Sequence, residues 1–128
     1  MKILDHLIST LNFDATLKDV RQGVFHTAVL TRNCGLAATL PMDALRQDPP
    51  LVKEPGTLLD KTTAELVKLA YSESVLEASI GMAAINSLMD VDECAYLELN
   101  AADLILGKGK GKRVAIVGHF PFLPKVRR

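Results

Sequence analysis

Residues 75–89, VLEASIGMAAINSLM, carry apolar side chains round nearly the whole circumference of a helix. A helix without a polar face has to be buried on several sides, so other elements must pack on more than one of its flanks. Gly81, Ala83 and Ala84 let neighbouring backbones come close, although the glycine costs the helix about 1 kcal/mol in intrinsic propensity. The preceding Ser74-Val75-Leu76-Glu77 fits a capping box, in which the serine oxygen accepts from a free backbone N–H and the glutamate reaches back to the cap. The rest of the sequence has to supply the layers that cover this helix.

With 128 residues there is room for one ordinary domain with a core and hardly for two, which predicts one domain plus an appendage. Residues 2–11 place Ile3, Leu4, Leu7, Ile8 and Leu11 at helical spacing, giving an amphipathic helix with one buried stripe. From Thr16 onward TLKDVRQG, VFHTAVLT and CGLAATL read as three short strands, divided at Gln22-Gly23 and Arg32-Asn33-Cys34. In the middle run Val24, His26, Ala28 and Leu30 share one face and Phe25, Thr27, Val29 and Thr31 the other, as strand alternation requires. The expectation is an antiparallel meander.

Pro41, Pro49-Pro50 and Pro55-Gly56 then punctuate a loop of about 18 residues, longer than most structural connections and either a plain surface excursion or the border of a binding site. Asp60 is expected to cap a helix running through Tyr71, with Leu66, Val67, Leu69 and Ala70 inward. After the central helix, DVDEC reads as a helix-capping turn; it lacks the ligand spacing of a calcium loop. Asn100 caps a short helix, AADLILG, that Gly107 ends. GKGKGK at 107–112 follows as a flexible basic tether leading to the strand VAIVG. The fold class is therefore α+β: a three-stranded antiparallel sheet on helices over residues 1–106, the linker 107–112, and a final strand and loop at 113–128.

Lys plus Arg equals Asp plus Glu, 15 against 15, so no overall field draws nucleic acid or an anionic membrane surface. The apolar runs fall short of the roughly 20 residues that cross a bilayer, and Asp5 and His6 interrupt the N-terminus where a signal peptide would be apolar. A cytoplasmic location follows as the expectation. Cys34 and Cys94 lie far apart without a CxxC, which reads as two reduced thiols.

Candidate chemistry is sparse. Ser79 and Asn86 are seven residues apart on one face of the apolar helix, where they either enter a ligand cleft or bond backbone groups of the sheet. His119 follows VAIVG at the carboxyl edge of a strand, where α/β folds gather ligands, or it merely shapes the turn before Pro121. The G-x-G spacing of GKGKGK precedes its strand, whereas a dinucleotide fingerprint places glycines after one; no P-loop is present either. Cys34, Cys94, His26 and His119 are metal donors in kind, but no two have ligand-motif spacing. No Ser/His/Asp or Cys/His arrangement supports nucleophilic catalysis.

DVRQGVFHTAVLT, CGLAATL, EASIGMAAINSLM, NAADLI and KRVAIVGHFPFLPKVR together resemble a family of uncharacterised bacterial and archaeal proteins associated with heavy-metal chelation. The likeness spans nearly the whole chain, and SIGMAAIN and VGHFPF are its most specific parts. It implies an enolase N-terminal-like domain followed by a Rossmann-like domain, with a site in the cleft between them. Ser79 and Asn86 would then approach a small ligand from one side and Gly118, His119 and Phe120 from the other. A transition metal is the candidate cofactor, and of the donors present in kind His119 and Cys34 are the candidate ligands. Most of the Rossmann-like domain has no counterpart here, so the chain reads as the front half of a longer family member. The apolar tail, deprived of its sheet, is expected to dock on its own domain, on a second copy, or on a separate Rossmann-like partner. The resemblance favours a small-ligand or metal-binding protein; an enzyme acting on a small anionic or cofactor-like molecule and an assembly module without chemistry are the alternatives.

Overall fold

A computed structural model describes residues 2–39 and 52–126. The chain divides into two compact units, residues 1–90 and 91–128. The first holds helix α1 (Lys2–Ser9), strands β1 (Asp19–Gln22), β2 (His26–Leu30) and β3 (Cys34–Ala38), helix α2 (Thr63–Lys68) and helix α3 (Val75–Leu88). The second holds α4 (Ala101–Gly109) and the single turn α5 (Leu123–Val126).

The sheet is the expected meander, in the order β1-β2-β3 and antiparallel throughout. Its registers pair Val20 with Val29 and Val29 with Gly35. Alternation places Thr27, Val29 and Thr31 in the interior, whereas His26 and Leu30 are exposed. Phe25, assigned to the inner face by alternation, is exposed together with Val24 because the two form the β1–β2 turn, ahead of the first residue of β2.

Helix α3 is the centre of this unit. Ile80, Ala83, Ala84, Ile85 and Leu88 are buried, with Val29, Leu66 and Val67 in the same cluster. Glycine is required at both flanks. A Cβ at Gly81 would lie 2.0 Å from the Ala70 backbone nitrogen, and one at Gly35 would lie 2.0 Å from the Ala83 carbonyl oxygen. Strand β3 and the 3₁₀ turn Leu69–Tyr71 therefore touch the helix backbone directly. Gly81 was legible as a close-approach residue; its counterpart on the strand was not.

The C-terminus of α3 is closed by the β2–β3 turn. Thr31 Oγ1 and the Asn33 backbone N–H donate to the Ser87 carbonyl at 2.9 and 3.2 Å. Arg32 Nη2 donates to the Leu88 carbonyl at 2.8 Å, and Asn33 Nδ2 to the Met89 carbonyl at 2.9 Å. Three consecutive turn residues thus satisfy three terminal carbonyls that a helix leaves without internal partners. The Arg32 guanidinium also places positive charge at the negative end of the helix dipole.

Three local expectations are corrected. Ile3 is 86% exposed, because successive helix residues are rotated by about 100° and the buried arc runs through Leu4, Leu7, Ile8 and Leu11. The cap of α2 is Thr62, not Asp60: its side chain accepts from the Glu65 N–H and the Glu65 carboxylate accepts from the Thr62 N–H, a complete capping box. Asp60 instead ends the 3₁₀ turn Pro55–Asp60. Helix α4, capped by Asn100 as expected, runs past Gly107 to Gly109, so the first residues of the glycine-lysine run are helical. The proline-marked loop falls largely at 40–51, outside the described residues.

In the second unit Asp92 caps the 3₁₀ turn Glu93–Ala95. The tail turns back on α4, where Lys125 Nζ lies 2.7 Å from Asp103 Oδ1. Residues 113–117 join no sheet among the described residues. Only Ala102 of the described residues in this unit is buried.

Candidate functional site

Ser79 and Asn86 project from α3 toward the outer edge of β3. Along that strand Gly35, Ala37 and Thr39 face β2, so the carbonyls of Leu36 and Ala38 point to the open edge. Asn86 Nδ2 donates to Leu36 O at 2.7 Å, and Ser79 Oγ lies 2.9 Å from Ala38 O. The Ser79 hydroxyl is also 2.9 Å from Val75 O, one turn back in the helix. Its single proton is held between two carbonyls, while Asn86 is at the surface with its amide oxygen still able to accept. The pair thus covers an edge that would otherwise present bare acceptors.

Cys34 opens β3 and is exposed with a free thiol; Cys94 is likewise free and exposed. His26, at the start of β2, is also exposed. Gly118 has φ of 118°, a conformation that favours glycine, and Phe120 packs its ring against Phe122 with centroids 5.3 Å apart. His119 stands between them at the surface. Among the described residues no three His, Cys, Asp or Glu side chains gather closely enough to hold a metal ion.

A cleft of about 800 Å³ opens in the second unit between α4, residues 110–118 and α5. Ile105, Leu106, Val114 and Ile116 line it together with Lys110 and Lys112. Gly118 belongs to this lining.

Two ionisable arrangements were not singled out by spacing. Glu77, read as a capping residue, is 4% exposed, and its carboxylate accepts from the Lys53 N–H at 2.8 Å and from Ser72 Oγ at 2.5 Å. It therefore anchors the chain where it returns to α3. The Tyr71 hydroxyl donates to the Asp5 carboxylate, joining the Leu69–Tyr71 turn to α1. That bond holds Asp5 below the ordinary carboxylate range and raises Tyr71 above the ordinary phenol value. Neither feature has a sequence signature, because each depends on partners from elsewhere in the chain.

The α+β architecture recurs in a crystal structure of a protein with unknown function from the DUF364 family of Desulfitobacterium hafniense DCB-2, with a TM-score of 0.75 and 26% sequence identity. The match covers 98% of this chain and 52% of that one, so the chain spans about half the length of this neighbour. The family model DUF4213, described as "Putative heavy-metal chelation", matches residues 4–89. The chain belongs to that family. No curated protein matches the sequence. No helix among the described residues is long and apolar enough to cross a membrane.

Proposed function

We propose that this protein binds a transition-metal ion or a small ligand, at a site that takes in the exposed donors His119 and Cys34. The observation carrying the reading is the family match over residues 4–89. The chemistry agrees in kind: imidazole and thiolate are the ligands that borderline and soft cations select, and both side chains are at the surface. Two ligands make an incomplete site, and among the described residues no group of three donors gathers, so further donors are required from outside them. In this reading the meander and its helices form an enolase N-terminal-like domain, residues 113–128 open a Rossmann-like domain, and the ligand occupies the cleft between those two folds. Ser79, Asn86, Gly118 and Phe120 then serve as small-ligand contacts. Support for a longer assembly is the D. hafniense neighbour, of which this chain spans about half.

Competition against a chromophoric chelator, with zinc(II), cadmium(II), nickel(II) and copper(I), tests the metal reading. At least one ion is expected to be withdrawn from the chelator, and His119→Ala and Cys34→Ser are each expected to weaken its binding at least about tenfold, since even loss of a group that only supports a ligand costs about that much. Withdrawal of none, or binding unchanged by both substitutions, overturns it.

An enzyme acting on a small anionic molecule is the second reading, favoured by Lys110 and Lys112 in the lining of a cleft of ligand size. Thermal-shift titration with inorganic phosphate and simple carboxylates, repeated on Lys110→Ala/Lys112→Ala, separates this reading from the first.

A further inference from the structure

We draw no further inference here: the strongest candidate, the outer face of the meander in the first unit, where Leu30 and Leu36 lie exposed with His26 and Cys34, is an apolar face, and nothing in the structure shows what covers it.

Discussion

Helix α3 and residues 114–117 are both apolar, and they meet opposite environments. The helix is enclosed by β3, α2 and the Leu69–Tyr71 turn, with backbone contact so close that only glycine fits at Gly35 and Gly81. Val117 projects almost wholly into solvent, in a unit whose described residues bury one alanine. Apolarity sets only the tendency to be covered; the available partners decide whether cover is found within the same unit. The first unit has a sheet, two further helices and capped carbonyls to offer. Among its described residues the second has α4, the single turn α5 and the 3₁₀ turn Glu93–Ala95.

Glycine substitutions give the largest contrast. Gly81→Ala and Gly35→Ala are each expected to destabilise the first unit by about 3 kcal/mol or more, since each new methyl meets backbone that cannot move away cheaply. Gly107→Ala in α4 meets nothing within 4 Å and is expected to stabilise that helix by about 0.5–1 kcal/mol. Denaturant midpoints for the first unit and amide exchange for α4 would register the opposite signs, and equal signs would break the contrast.

Removing side chains gives the next effect. Ile85→Ala is expected to cost about 2–5 kcal/mol, as loss of a fully buried branched side chain does. Val117→Ala, measured where the chain is monomeric, should stay within about 0.5 kcal/mol. If it costs more, Val117 has a partner within its own chain and the two regions are less different than described.

Arg32→Ala should cost about 2 kcal/mol by denaturation, because its guanidinium donates to both Leu88 O and Asn12 O at 2.8 Å. Asp90→Asn removes only the exposed ion pair with Arg32 and should change stability by no more than a few tenths of a kcal/mol.

The smallest effect is in pH. Asp5 has a lowered folded pKa, so the stability of its bond to Tyr71 is present above the unfolded carboxylate pKa and declines as pH falls through the folded value. Tyr71 has a raised folded pKa, so its share is present below the unfolded phenol pKa and is lost as pH rises through the folded value. Tyr71→Phe should lower the plateau between the two titrations slightly, toward the level reached on either side, and so flatten both flanks of the stability–pH curve. Thermal melts across the range would reveal it; flanks as steep as in the parent would mean that other groups control them.

What could be read in advance follows the range of the interactions. All-round apolarity announced α3, and alternation announced the meander, because both are periodic and local. Thr62 displaced Asp60 as cap because both residue types can cap and only Thr62 has a glutamate at the third helical position to complete the box. Gly35 gave no sign of its role, since its neighbour is a helix about fifty residues away in sequence. Ser79 and Asn86 were recognised as a pair, with sheet bonding as one of two outcomes, and the bonds to Ala38 and Leu36 carbonyls are of that kind. The described donors do not gather into a metal cluster, which no spacing rule could have assessed for residues so far apart.

The three-residue bend at Thr31–Asn33 has a practical side. Hairpin bends are where protein engineers usually insert a peptide tag or split a chain, on the assumption that such positions are structurally idle. Here an insertion would pull four donors away from the end of the central helix at once. The permissive-looking site is a poor place to cut, and a reporter split at this point would come apart together with the fold.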